Sequence, residues 1–338
     1  MIRLAIDVGS QKTKIYMPGS GVVLSEATCI AAETGAEDGQ TVLNVKYYGD
    51  RARALSGRAA LNTRIVNPVV EGDIVNVGLM SALLSYFLEK IEITRRKAKS
   101  AEVTFLIHCG SDSRLKSKYI QVAADCNIGR VLFVQTPFAA VTGHNVTLSE
   151  TYPVFCLDVG HAITNIAVFS LDGIIYGLSV NLGGGNVDVH LMDYLAENFN
   201  LKIGALTAER LKITVGSLLE DDNKMTVADG RDVKNGTPSS AAVNSSQIED
   251  IIKLYVDKIL EYVTAVLAKL PAEVASAVMH DGIYLSGGFA KTDGFAEYVS
   301  AKLGVPVNSC EEPALAPVIG AGAIISDPVL RGKTATCN

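Results

Sequence analysis

No extended basic run is present: Lys and Arg total 30 against 36 Asp and Glu, a net charge of −6. The one cluster, Arg95-Arg96-Lys97-Ala98-Lys99, reads as a solvated loop or helix end. Sequence-nonspecific nucleic-acid binding draws on a basic stripe, so no nucleic-acid partner is expected. No window reaches about 18 uncharged apolar residues, which excludes a membrane-spanning helix. The opening "MIRLAIDVG" is a strand pattern without a charged leader or cleavage site, so no signal peptide is expected. Six cysteines (Cys29, Cys109, Cys126, Cys156, Cys310, Cys337) form no Cys-x-x-Cys pair and, with five dispersed histidines, no zinc pattern. Reduced thiols and a cytoplasmic location follow. What the chain does have is apolar material: 48% of 338 residues, enough for sizeable cores and about two domains.

The strongest internal signal is a repeat. "LAIDVGSQKTKIYMPGSGVVLSEA" near the start and "FCLDVGHAITNIAVFSLDGIIYGLSVNLGGG" from Phe155 share one plan: apolar run, Asp-Val-Gly, polar turn, then two more apolar runs separated by a glycine turn. The spacing predicts two three-strand meanders, at 2–8, 14–17 and 22–25 and again at 154–158, 164–170 and 174–180. Helix-strand alternation follows each copy. Helices are expected at 79–91, 113–126, 187–199, 207–215, 247–270, 294–303 and 314–325, with another opening at Pro137. Strands are expected at 103–108, 131–135 and 282–285, and a short sheet with loops within 220–246. Two duplicated α/β halves facing each other would leave a cleft between them, a common place for a ligand.

The repeated corner suits phosphate. A tight turn between strands aims successive N–H groups at one point, and Gly9 removes the side chain where a ligand meets the backbone. Two such turns can clamp a polyphosphate. A carboxylate beside phosphates, as Asp7 and Asp158 would be, is best explained by a hydrated Mg2+, which takes one or two carboxylates. Gly183-Gly184-Gly185 precedes a helix whose start favours anions. Glu209 and Lys212, three apart on one helical face, have the spacing of a surface ion pair but also the reach for a ribose hydroxyl or base edge. Gly287-Gly288-Phe289 ends a strand with bare backbone suited to a flat base.

These stretches, in this order, resemble the actin-like ATPase superfamily, and most closely the bacterial actins of the MreB type. Segments between 198 and 325, such as "NFNLKIGALTAERLKITVGS" and "LPAEVASAVMHDGIYLSGG", carry the closer likeness. The resemblance implies an actin-like α/β fold of duplicated ribonuclease-H-like domains, in four subdomains around a nucleotide cleft. By position these are IA (1–32, 67–141, 319–338), IB (33–66), IIA (142–180, 247–318) and IIB (181–246). It implies ATP or ADP with Mg2+ in the cleft, Asp7 and Asp158 at the metal, and self-assembly into filaments. The first phosphate loop would be Gly9, Ser10, Gln11, Lys12, Thr13 and Lys14. The second would be Gly160, His161, Ala162 and Thr164. Gly183, Gly184, Gly185, Glu209, Lys212, Gly287, Gly288 and Phe289 would line ribose and base. Lys14 sits where actin has a phosphate-contacting lysine, although on an alternating strand it also reads as solvent-facing.

Two departures stand out. The MreB second loop reads Asp-x-Gly-Gly-Gly-Thr-Thr, whereas here His161 and Ala162 replace glycines, predicting a changed turn or a looser phosphate contact. The water-positioning Glu that precedes a helix-opening Pro is here Thr136, with Gln135 one residue earlier on the opposite side of the strand. Thr136, Gln135, Thr164 and His161 are thus the catalytic candidates of a slow ATPase. Alternatives are a small-molecule kinase of the same superfamily, for which no acceptor-activating Asp is found near Thr136, and an FtsA-like membrane adaptor. The tail "SDPVLRGKTATCN" is too short and polar for the latter. Contact with a membrane or membrane protein at the inner face stays open, through a loop that the sequence does not mark.

Overall fold

Each Asp-Val-Gly segment forms the middle strand of its own five-stranded sheet in the computed structural model, which describes residues 1–37 and 40–334. Cys337 and the end of the C-terminal tail lie outside the described residues. In the first half, β1 (Arg3–Val8), β2 (Lys12–Met17) and β3 (Gly21–Ala27) make the expected meander. A small sheet of β4 (Ile30–Glu37), β5 (Gln40–Tyr48) and β6 (Thr63–Val66) follows, with the short helix α1 (Gly49–Arg53) between β5 and β6. A hairpin of β7 (Val69–Val70) and β8 (Asp73–Ile74) leads into α2 (Val77–Lys90) and α3 (Arg95–Ala98). Then β9 (Glu102–Ile107), α4 (Ser113–Asp125) and β10 (Arg130–Gln135) complete the sheet in the order β10-β9-β1-β2-β3.

Helix α5 (Thr136–Gly143) crosses to the second half, where β11 (Val154–Val159), β12 (Thr164–Ser170) and β13 (Gly173–Val180) repeat the meander. After α6 (Gly184–Phe199), β14 (Leu201–Lys202) and α7 (Ala205–Val215), the polar stretch folds as β15 (Met225–Asp232) and β16 (Pro238–Asn244). Next come α8 (Ser245–Leu267), α9 (Ala272–Asp281), β17 (Ile283–Ser286), α10 (Phe295–Leu303), β18 (Val307–Ser309), α11 (Ala316–Ser326) and α12 (Pro328–Thr334). The second sheet runs β13-β12-β11-β17-β18. In both sheets the Asp-Val-Gly strand pairs antiparallel with the next strand and parallel with a later one, β9 or β17. The topology is the same twice, as a duplication requires. The long helix expected over 247–270 ends near Leu267, and Pro271 opens α9, a break the periodicity did not reveal.

Local chemistry sets the element ends. Asp112 accepts the Leu115 N–H at 2.9 Å to start α4, and Asn244 and Gln247 form a reciprocal capping box on α8. Asn200 ends α6 in a left-handed conformation.

Strand alternation then divides the core. On β1, Leu4 and Ile6 pack with the helices of the first half, including Leu83 and Phe87 of α2 and Tyr119 of α4. Ala5 points the other way. On β11, Phe155, Leu157 and Val159 face the second half's helices, while Val154 and Cys156 face back. These backward faces meet in a core between the sheets, filled by Phe138, Ala139 and Ala140 of α5 and Ala321, Ile324 and Ile325 of α11. The Asp-Val-Gly strands are therefore buried on both faces, and α5 and α11 hinge the two sheets together. Among the described residues no helix is long and apolar enough to cross a membrane.

Candidate functional site

The two sheets open on a cleft of about 540 Å³, lined from opposite sides by the turns after β1 and β11. The turns are built alike. Gly9 N–H donates to the Lys12 carbonyl at 3.1 Å, and Gly160 N–H to the Ile163 carbonyl at 2.9 Å. A Cβ at Gly9 would lie 2.9 Å from the Lys12 oxygen, and one at Gly160 2.8 Å from the Ile163 oxygen, so each closing contact excludes a side chain. Ala162 lines the cleft without opening the second turn, whose closing bond matches that of the first. Gly9, Ser10, Gln11, Lys12 and Lys14 line the cleft, as do Gly160, His161 and Ala162.

Both carboxylates reach the cleft floor, each with a partner from the neighbouring strand. Lys14 Nζ donates to Asp7 at 2.7 Å; Asn165 Nδ2 donates to Asp158 at 2.9 Å. The partners are equivalent, since Asp7 pairs in register with Lys14 and Asp158 with Asn165. Lys14 is thus not solvent-facing: its side chain is 17% exposed. Ser286 donates to the other Asp158 oxygen at 3.1 Å. Burial pushes the Asp158 carboxyl up, while the Asn165 bond pulls it back. A hydrated Mg2+ needs only one or two carboxylates, and two of them on facing turns fit that requirement.

Alternation also removes two candidates. Thr13 and Thr164 lie on the opposite strand face from Lys14 and Asn165, fully buried. Thr13 Oγ1 pairs with Thr28 Oγ1 at 2.9 Å, and Thr164 donates to the Leu182 carbonyl at 2.7 Å. They brace the turns from behind and are not among the cleft-lining residues.

The glycines at the start of α6 act differently from a phosphate-binding helix start. Gly184 N–H donates to the Gly160 carbonyl at 3.1 Å and Gly185 N–H to the His161 carbonyl at 2.7 Å. Their donors hold the second turn and are not directed at an anion. A Cβ on Gly183 would fall 2.6 Å from both of those carbonyl oxygens, so the glycine run permits a close backbone approach. Of the three, only Gly184 lines the cleft.

Glu209 and Lys212 do not pair with each other, as their spacing suggested. Lys212 Nζ donates to Asp188 at 2.8 Å and to the Gly184 carbonyl at 2.7 Å, all buried. Burial pushes Lys212 down and Asp188 up, and their mutual attraction opposes both shifts. Glu209 accepts from Gln11 Nε2 at 2.8 Å and from Arg53 Nη2, both of the first half. Gly287 adopts φ +96° with the Val159 backbone directly against it, whereas nothing lies within 4 Å of a Cβ built on Gly288. Phe289 packs below, with Lys212 Nζ 5.8 Å from its ring centre.

His161 is half-buried. Its ring lies against Gly185 and its Nδ1 is 4.0 Å from Asp188. Burial first, then the charges of Lys212 and Arg53, push its pKa from 6.5 to about 4, so the ring is neutral near pH 7. Because the folded value lies below the unfolded one, the unfolded chain takes the proton first. Stability is complete above about 6.5 and declines as pH falls toward about 4. Wild type is therefore expected to lose more Tm than His161→Gln between pH 7.5 and pH 4.5 (roughly the window set by that linkage). Equal losses would show that the ring titrates freely.

Thr136 begins α5 and lines the cleft, its hydroxyl donating to the Ile107 carbonyl at 3.1 Å. Gln135 points away, accepting a weak 3.6 Å contact from Cys109 Sγ. Sequence reading missed Asn165, Asp188, Arg53, His108 and Tyr119. Asn165 was findable, because aligning the two repeats sets it against Lys14. Arg53 sits in a segment without a motif.

Two sheets of one topology, hinged by paired helices over a cleft with twin Asp-Val-Gly turns, define an actin-like protein. Solved structures agree on the fold. MreB5 of Spiroplasma citri bound to ADP superposes with a TM-score of 0.89 at 22% identity, covering 98% of each chain. The MamK double helical filament gives 0.76 at 18% identity, over 96% of this chain and 99% of that one. Within that class the family model described as MreB/Mbl protein matches residues 1–331, and the chain belongs to this family. The cell shape-determining protein MreB of Escherichia coli (strain K12) is 27% identical over 320 residues, 94% of this chain and 92% of its own. Mbl of Bacillus subtilis (strain 168) is 27% identical over 327 residues, 96% of each.

Proposed function

We propose that this protein binds ATP and Mg2+ in the cleft, assembles with copies of itself into filaments in the cytoplasm, and hydrolyses ATP slowly. The observation that carries the reading is the pair of matched turns, Gly9–Lys12 and Gly160–Ile163, facing each other over Asp7 and Asp158. The Spiroplasma relative was also solved with AMPPNP, and the MamK relative as a filament.

In this reading the twin turns hold the phosphate tail, with Lys14 as a further cation at the first turn. Mg2+ bound by Asp7 and Asp158 would supply charge neutralisation at the phosphates. Glu209 takes the ribose hydroxyls, and the base lies on the open backbone at Gly288 beside Phe289. Four subdomains follow: the two sheets with their helices are IA and IIA, the small β5-β4-β6 sheet lies in IB, and the β14-β15-β16 sheet in IIB. Cell-shape control, as in the named relatives, is the expected role.

The test is sedimentation with electron microscopy. Polymer is expected with ATP and Mg2+, and Asp158→Ala is expected to weaken ATP binding about tenfold or more and to lose polymer. Protein that stays in the supernatant under every nucleotide condition would sink the reading.

A further inference from the structure

Glu209 of α7 is held by two side chains of the first half. Arg53, in the last turn of α1, donates through Nη2 to Oε2, and Gln11 donates to Oε1 at 2.8 Å. Gln11 and Glu209 line the cleft from opposite halves, with Arg53 just outside that lining, and the contact is largely withdrawn from water, the Arg53 and Glu209 side chains being 22% and 16% exposed. The guanidinium also acts further in. Its charge bears on His161, Asp188 and Lys212, all grouped around the second turn. Arg53 is therefore within electrostatic reach of the turn that holds phosphate, although it grows from the opposite half of the chain. Guanidinium keeps its charge at every physiological pH and presents a planar fork matched to phosphate oxygens.

We propose that Arg53 is a phosphate-binding residue of the cleft, exchanging Glu209 for a nucleotide phosphate oxygen when the ribose hydroxyls take up Glu209. The proposal rests on the nucleotide reading above. The exchange leaves no charge stranded: Glu209 gains two hydroxyl donors as it loses Arg53, and Arg53 gains a more highly charged anion as it loses a carboxylate. It also makes the lobe-to-lobe link run through the nucleotide, so that ligand and cleft closure are coupled through one side chain.

The distinction from a plain structural latch lies in which ligand feels the loss. Arg53→Ala and Arg53→Lys are titrated calorimetrically with ATP and with adenosine, at low and at high salt. Arg53→Ala is expected to weaken ATP about tenfold or more, the usual size for a charge-assisted bond. Adenosine, which has no phosphate, is expected to bind as well or better because Glu209 is released. Arg53→Lys keeps part of the ATP affinity, and the salt dependence of ATP binding becomes shallower in Arg53→Ala. Parallel losses for ATP and adenosine, or unchanged ATP affinity, would overturn the proposal. Should Arg53→Ala not fold, Glu209→Gln gives the complementary result: it keeps Arg53, so adenosine weakens more than ATP, and the reverse order would refute the exchange. Wild type that binds neither ligand would remove the nucleotide reading itself.

Discussion

Thr136→Glu is expected to raise phosphate release at saturating ATP by about a hundredfold or more, the lower end of what a positioned base contributes. Phosphoryl transfer depends on placing the attacking water and stabilising charge, and in the proposed reading Thr136 is a weak group for that placement. Thr136 faces the cleft from the first position of α5, but its proton is committed to the Ile107 carbonyl at 3.1 Å. A hydroxyl also cannot accept a proton near neutral pH. Glutamate there would stand at a helix N-terminus, which favours its ionised form. It would also reach further into the cleft. The lost Ile107 bond costs about 1 kcal/mol of stability, small beside the catalytic gain. ATP affinity is expected to change little, since the carbonyl, the twin turns and both aspartates stay in place. Thr136→Gln separates the two roles of the new group: it orients water without accepting a proton and should fall between wild type and Thr136→Glu. Unchanged release in both variants would mean that something other than the missing carboxylate limits turnover.

The architecture was legible because duplication doubles a weak signal. A single Asp-Val-Gly corner is only a strand end, but two, each ahead of a glycine-turned hairpin, define two sheets of one topology. The same logic carried to single residues would have found Asn165, since Asp158 and Asn165 repeat the spacing of Asp7 and Lys14. Errors came where one-dimensional adjacency was read as nearness to the ligand. Thr13 and Thr164 neighbour cleft residues in the chain, yet the two-residue period of a strand turns them into the core. Gly184 and Gly185 open a helix, yet their N–H groups are taken by the carbonyls of residues 160 and 161. No local pattern reports such a long-range partner. Arg53 was invisible for the same reason: its meaning comes from Glu209, 156 positions away.

Gly320→Val is expected to disable the protein without touching the cleft. Helices α5 and α11 cross between the two sheets so closely that a Cβ at Gly320 would lie 1.8 Å from the Ala139 carbonyl oxygen and 2.5 Å from Gly143 N. Gly143 is constrained reciprocally, 2.1 Å from the Ala316 oxygen. These obstacles are backbone atoms, so no rotamer change relieves them and the helices must separate. Overpacking of this kind costs about 3 kcal/mol, at the upper end of its usual range. For a chain of this size that corresponds to a Tm lower by roughly 4 °C. The effect should reach binding as well as stability, because α5 carries Thr136 and the hinge core carries the backs of β1 and β11. Moving the helices apart shifts one Asp-Val-Gly turn against the other, and a clamp made of two jaws depends on their separation. ATP affinity is therefore expected to fall at least tenfold at temperatures where Gly320→Val is still folded (about 1.4 kcal/mol of lost binding). Gly204→Ala, at the start of α7 with nothing within 4 Å of the new Cβ, serves as the control and should leave both quantities nearly unchanged. If Gly320→Val lowers Tm but binds ATP as wild type does, the jaws do not depend on the hinge, and the lobes bind nucleotide independently of how α5 and α11 are packed.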